Sequence, residues 1–292
     1  MIATISSPAS EPRAAAGPTG DFVLSALLSR PYPAVMGVLN VTPDSFSDGG
    51  QFALPERALT QARRMVAEGA DIIDIGAEST RPYGSEPISA EEEVNRLREV
   101  LPAVVSLGIP VSIDSMKSSV VAWAFDRGAR IANDVWGLQR DPAMAVLVAA
   151  RRAPIVIMHN RERADPAIDI MKDVADFFVR SLGIATAAGI SPANIVLDPG
   201  IGFGKTPEQS MTVLARLDEF AGFGPPLLIG ASRKRFISTV TPSEPQQRLG
   251  GSIAAHLVAA ENGARIIRAH DVAETVQALR VAAAIREFGK QP

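Results

Sequence analysis

The sequence predicts a single-domain (β/α)8 barrel, and three observations carry the prediction. Eight short runs rich in Val, Ile and Leu alternate with longer segments of helical period. The runs are continuously apolar, as expected of strands covered on both faces of a parallel sheet. Each ends in polar or ionisable residues, as in a barrel that gathers its chemistry at the C-terminal ends of its strands. An open doubly wound sheet shares the alternation, but the first strand–helix turn has no Gly-x-Gly-x-x-Gly fingerprint.

Taken in order, strands are expected at residues 35–39, 72–75, 111–113, 131–132, 155–158, 195–197, 227–229 and 265–268. Helices are expected at 55–68, 90–106, 118–126, 142–150, 174–188, 208–220, 249–261 and 272–288. Ser89 precedes an acidic first turn, and Pro142 and Pro207 stand at first helical positions. Gly69, Gly108, Gly128, Gly189 and Gly263 follow helices, where a left-handed cap favours glycine. Eight strand–helix pairs imply parallel strands joined by right-handed crossovers. The barrel is expected over residues 31–288. A loosely ordered extension precedes it at 1–30, whose first twenty residues are Ala-, Ser-, Pro- and Gly-rich without periodicity, and 289–292 form a tail.

Composition removes several classes. The 292 residues carry 29 basic and 32 acidic side chains, a net charge of −3, which offers no footprint for nucleic acid or an anionic membrane. The absence of cysteine excludes disulfides, thiolate zinc sites and a cysteine nucleophile. The N-terminal residues lack the apolar core of a secretory signal, and no uncharged apolar run approaches a membrane span, so a cytoplasmic protein is expected.

The strand ends read Asn40; Glu78-Ser-Thr-Arg-Pro82; Asp114-Ser115; Asn133-Asp134; His159-Asn160; Asp198-Pro-Gly-Ile-Gly-Phe-Gly-Lys-Thr206; Ser232-Arg-Lys-Arg235; and Arg268-Ala-His-Asp271. Singly, Asp114 or Asp198 suits a helix cap as well as a site. Together with Asn133 and Lys234 they suit a flat heterocycle: a carboxylate accepts two adjacent N–H groups, an amide adds a donor and an acceptor, and a lysine donates to a ring carbonyl or nitrogen. Arg268 and His270 precede the last helix, where barrels often bind phosphate, although Arg268 could instead pair with a local carboxylate. His256 lies inside a helix and is read as a packing residue. The stretch from Gly200 to Lys205 is not a P-loop, because three residues rather than four separate Gly200 from Gly204; its glycines are read as letting the backbone pass close to a flat ligand. Asn40, Asp44 and Asp48 offer oxygens to Mg²⁺, while Asp48-Gly-Gly50 also reads as a turn.

These segments, in this order from about residue 33 to 288, resemble the dihydropteroate synthases, which join a pterin to p-aminobenzoate. The loop of residues 40–50, Glu78-Ser-Thr-Arg-Pro82, Ile113-Asp-Ser115, Asn133-Asp134, Leu197 to Lys205, Ser232-Arg-Lys234 and the pair Arg268 and His270 carry the resemblance. It implies the same barrel, with Asp114, Asn133, Asp198 and Lys234 on the pterin ring. Arg268 and His270 would bind the diphosphate, Thr80 would also contact the pterin diphosphate, and Asn40 would contact Mg²⁺. Arg81, Pro82, Phe203, Ser232, Lys234 and Phe46 would form the p-aminobenzoate pocket. Asp44 and Phe46 would lie in a loop that closes over the site, and Asp198 or Asp44 would stabilise a cationic pterin. The resemblance also implies a homodimer, for which residues 282–285 offer an apolar face, and a target for sulfonamides. The fifth loop departs from the common family pattern, reading Met158-His-Asn-Arg-Glu162. Two rivals remain. A methyl-transferring pterin domain would share the ring-binding positions but not the 40–50 loop or Lys234. A non-catalytic pterin binder would be expected to lose residues at the mouth.

Overall fold

The computed structural model describes residues 24–42, 50–78 and 87–289. Eight parallel strands close into a barrel in sequence order, with β8 hydrogen-bonded back to β1. They are β1 (Ala34–Asn40), β2 (Ile72–Gly76), β3 (Val111–Asp114), β4 (Ile131–Asp134), β5 (Ile155–Met158), β6 (Ile195–Asp198), β7 (Leu227–Ile229) and β8 (Ala264–Ala269). Helix α1 (Leu24–Leu28) precedes β1, and α2 (Gly50–Ala67) follows it. The chain then runs through α3 (Ala90–Leu97) and α4 (Val100–Val105) after β2, α5 (Ser118–Phe125), α6 (Pro142–Arg151), α7 (Ile170–Ala188) and α8 (Pro207–Ala215). Helices α9 (Arg235–Val240) and α10 (Leu249–Glu261) follow β7, and α11 (Val272–Phe288) follows β8. The barrel class, strand order and parallel pairing are as the sequence predicts.

Alternation along the strands divides the core in two. Val35, Leu39, Ile73, Ile75, Ile113, Ile155, Ile157, Leu197, Ile229 and Ile267 face outward into the large cluster shared with the helices. Ala34, Met36, Ile72, Ile131, Val156, Val196, Leu228 and Ile266 form a separate cluster, which fills the lower half of the barrel interior. Leu24 of α1 is buried against this second cluster, with Leu27 and Leu28 packed beside it. The Arg265 guanidinium, at the start of β8, donates to the carbonyls of Leu28 and Arg30 and ties this segment down. Within the segment expected at 1–30 as a loosely ordered extension, Leu24–Leu28 are helical and stopper the barrel, while residues 1–23 lie outside the described residues. The apolar residues of this helix find their partners only on the assembled barrel, which is why local pattern misses them.

Other elements differ as well: α2 starts at Gly50, five residues before the expected start, and α8 ends at Ala215, five residues before the expected end. The single helix expected at 90–106 is two, because Pro102 offers no N–H to the carbonyl of residue 98 and its ring crowds that carbonyl, so the helical hydrogen bonding breaks at residues 98–99 while both keep helical dihedrals. Helix α7 starts at Ile170, four residues before the expected start, where Asp169 caps the N–H groups of Met171 and Lys172. The six-residue α9 was not expected.

Candidate functional site at the barrel mouth

Two residues above the apolar layer, the same strands point polar side chains inward. Ile72 is followed by Asp74, Ile131 by Asn133, Val196 by Asp198 and Ile266 by Arg268. The strand register sets Asn40 beside Gly76, Gly76 beside Asp114, and Asp114 beside Asn133. At Gly76 a side chain would meet the Asp114 side chain at 3.3 Å, so this inward position is left without one.

An ionic ladder crosses the mouth. Asp74 Oδ2 accepts from Asn133 Nδ2 at 3.1 Å and from Arg268 Nε at 2.7 Å. Arg268 Nη2 donates to Asp114 Oδ2 at 2.9 Å. The second carboxylate oxygens of Asp74 and Asp114 are buried and accept no hydrogen bond among the described residues. Burial, reinforced by nearby Asp74, pushes Asp114 up to about 7. Burial likewise pushes Asp198 up to about 6, against the 2.7 Å hydrogen bond that its Oδ1 accepts from the Gly200 N–H. Burial works against the Arg268 cation, but Asp74 and Asp114 overcome it and hold the pKa above the ordinary arginine value.

The β7 and β8 ends meet at a second cluster. Arg233 adopts a left-handed conformation (φ 59°) and its guanidinium grips Asp271 through two hydrogen bonds. Its N–H reaches Ser252 Oγ and its carbonyl accepts from Arg248, so the turn carrying Ser232 and Lys234 is fastened on several sides. Ser232 Oγ accepts the backbone N–H of His270 and stands 3.0 Å from His270 Nδ1. With the serine hydrogen directed to Nδ1, the Nε2–H of a neutral imidazole is left as a donor. Burial, with Arg268, Arg233 and Lys234 near, holds His270 at about 3, so it is neutral in this structure. Lys234 Nζ lies 4.0 Å from the centroid of the Phe203 ring, a cation–π contact.

The structure thus gathers Asn40, Asp114, Asn133, Asp198, Phe203, Ser232, Lys234, Arg268 and His270 at one end of the barrel. Asp44, Phe46, Asp48, Thr80, Arg81 and Pro82 lie outside the described residues. Arg268 does pair with local carboxylates, Asp74 and Asp114, as well as standing at the mouth. His256 is a buried packing residue in α10, with its Nδ1 3.3 Å from Thr275 Oγ1. The Lys205 ammonium turns inward onto the Gly200 and Phe203 carbonyls.

Two polar residues at the mouth were missed. Asp74 sits in the middle of its strand, not at its end; counting inward positions from Ile72 would have found it. Lys205 is 8% exposed and contacts His159, whose distance in sequence hides the pairing.

Asn40 ends β1 half-buried and makes no side-chain hydrogen bond among the described residues, where no three His, Cys, Asp or Glu side chains cluster as a metal site. That donor set fits an Mg²⁺ ion held by one amide oxygen, with the remaining oxygens from ligand phosphate and water, and not a cage made wholly by protein.

A family model described as pterin binding enzyme matches residues 36–270. The dihydropteroate synthase of Bacillus subtilis is 42% identical over 266 residues, covering 91% of this chain and 93% of that protein. A solved structure of the Xanthomonas albilineans dihydropteroate synthase with 4-aminobenzoic acid superposes with a TM-score of 0.85 at 42% identity, covering 91% of this chain and 95% of the other. The Yersinia pestis dihydropteroate synthase, solved with a sulfonamide drug complex, gives 0.82 at 40% identity, covering 89% and 96%.

Proposed function

The chain belongs to the dihydropteroate synthase family, and from that premise we propose that it condenses 6-hydroxymethyl-7,8-dihydropterin diphosphate with p-aminobenzoate to give 7,8-dihydropteroate and diphosphate. One observation supports this reading above the rest. Asp114, Asn133 and Asp198 stand buried at one end of the barrel, facing the Lys234–Phe203 pair, with Arg268 and His270 alongside.

Asp114, Asn133 and Asp198 take the donor-rich edge of the pterin, and Lys234 donates to its ring. Arg268, with N–H groups beyond those given to Asp74 and Asp114, and His270, through Nε2–H, take the diphosphate together with Thr80. Phe203, Ser232 and Lys234 take p-aminobenzoate, with Arg81, Pro82 and Phe46. The C–O bond from the pterin methylene to diphosphate breaks first, and diphosphate leaves with the electron pair. Arg268 and His270 stabilise the charge it gains. Asp198, with Asp44, stabilises the pterin cation. The amine lone pair of p-aminobenzoate then forms the C–N bond, and the nitrogen gives its proton to water or diphosphate; a neutral aniline nitrogen needs no strong base. Asn40 would hold Mg²⁺, which when bound would neutralise charge on the diphosphate.

A sulfonamide occupies the p-aminobenzoate position as a competitor. A homodimer is supported by the exposed apolar side chains Val281, Ile285 and Phe288 on α11 and Val258 on α10; light scattering of the purified protein tests it. Of residues 282–285, Ala283 is buried in the barrel's own packing and only the outer positions are open to a partner. Among the described residues no helix is long and apolar enough to cross a membrane, in keeping with a cytoplasmic site of action.

The deciding experiment measures diphosphate release and dihydropteroate formation with the pterin diphosphate and Mg²⁺, with and without p-aminobenzoate. Turnover that needs p-aminobenzoate and is lost in Asp198→Ala and Lys234→Ala supports the reading. Tight pterin binding without release or product would overturn it.

A further inference from the structure

Behind the mouth lies a chain of polar and charged groups, buried at Lys205 and His159 and partly exposed at Asp173 and Arg161, that the reaction above does not use. Lys205 Nζ meets three acceptors: His159 Nδ1 at 2.6 Å, the Gly200 carbonyl at 2.9 Å and the Phe203 carbonyl at 3.3 Å. An ammonium has three N–H groups, one for each of these acceptors when Nδ1 is unprotonated. His159 then carries its hydrogen on Nε2, 2.9 Å from Asp173 Oδ2, and Asp173 Oδ1 pairs with Arg161 at 2.9 Å. Asp173 lies in the first turn of α7, His159 and Arg161 follow β5, and Lys205 follows β6.

The two loops touch backbone to backbone. A Cβ on Gly200 would fall 2.0 Å from the His159 carbonyl oxygen, and one on Gly204 would fall 2.5 Å from that of Arg161. The fifth loop, where the sequence departs from the common family pattern, is thus the wall against which the glycine-rich loop is pressed. Between Gly200 and Lys205 stands Phe203, whose ring carries Lys234.

We propose that Lys205 and His159 are positioning residues for the p-aminobenzoate end of the site, fixing the glycine-rich loop so that Phe203 and Lys234 keep their mutual geometry. The inference rests on the assignment of Phe203 and Lys234 to p-aminobenzoate. The choice of residue supports it. Burying an ammonium is costly, and burial pulls Lys205 down to about 7 and His159 to about 4. An apolar side chain of similar length would fill the space without that cost. What it could not do is hold two loop carbonyls and an imidazole at fixed distances from one atom.

The test is steady-state kinetics on Lys205→Met, His159→Leu and His159→Asn, with thermal melts on each. Lys205→Met and His159→Leu are expected to raise KM for p-aminobenzoate about tenfold while KM for the pterin diphosphate stays within about twofold. His159→Asn keeps an acceptor near the Nδ1 position and is expected to recover most of that loss. If Lys205→Met does not fold, the two His159 variants decide the matter. Folded variants with both KM values unchanged, or with both raised equally and no recovery in His159→Asn, would overturn the proposal. The wild-type assay separates the two failures: absence of p-aminobenzoate-dependent turnover sinks the function, whereas an unsplit KM in variants of an active enzyme sinks only this inference.

Discussion

The inside of this barrel holds two regions built from the same strands with opposite rules. In the lower layer, Met36, Ile72, Ile131, Val196 and Ile266 bury apolar surface and leave nothing to satisfy. In the upper layer, about 6.6 Å further along the strands, Asp74, Asn133, Asp198 and Arg268 bury charge and amide and leave carboxylate oxygens of Asp74 and Asp114 without partners. The lower layer is a solution for stability. The upper layer is stable only because the lower one supports it, and its unmet groups are what a ligand would meet. A protein selected for stability alone would fill both layers alike.

Substitutions can break that comparison. Removing an upper carboxylate, as in Asp198→Ala, is expected to lower kcat/KM by about a thousandfold or more while the melting temperature holds or rises. A large loss of stability instead would mean that Asp198 belongs to the fold. Arg268→Leu is the expected exception in the upper layer. It strips the cation from two buried carboxylates and should cost about 3–5 kcal/mol in denaturant unfolding as well as activity. In the lower layer, Ile72→Ala should cost about 2–4 kcal/mol by the same measurement and leave KM for both substrates nearly unchanged.

Acidity separates the layers more finely. Asp114 is raised from 3.8 to about 7 and Asp198 to about 6, so both favour the folded state most when protonated. Their contribution to stability is complete below about pH 3.8 and is lost as pH rises, through about 7 for Asp114 and about 6 for Asp198. On the proposed assignment the pterin would meet these carboxylates ionised, so affinity should rise over the range in which this stability falls. Calorimetric titrations of a pterin from pH 5.5 to 8, with Asp114→Asn as the flattened control, check the opposing signs. The smallest effect is expected at the bottom of the barrel, where Leu24→Ala should cost about 2 kcal/mol without changing turnover.

Most of the architecture was legible because strand, helix and cap are local events. Eight apolar runs, Pro142, Pro207 and the capping glycines place nearly every element. The failures are where local signal is silent or overruled: α1 has no reason to be helical until the barrel offers Leu24 a partner, and Pro102 breaks a helix whose periodicity runs through it. At the site, reading strand ends found Asp114, Asn133, Asp198, Arg268 and His270. It passed over Asp74 because the mouth reaches one inward position deeper than the strand end. The Lys205–His159 contact joins residues from different strand–helix units, and no spacing in the chain announces it.

The stopper at the bottom has a consequence for traffic. Among the described residues, Leu24 set against a filled lower layer leaves no passage through the bottom of the barrel, so a molecule reaching the mouth would cross one rim in both directions. Entry and exit are then in series. On the proposed assignment, diphosphate still seated beside Arg268 and His270 would occupy the place of the next pterin diphosphate, so the two should exclude each other in product-inhibition kinetics. Clearing the vestibule, as much as forming the bond, would then set how often the enzyme can begin again.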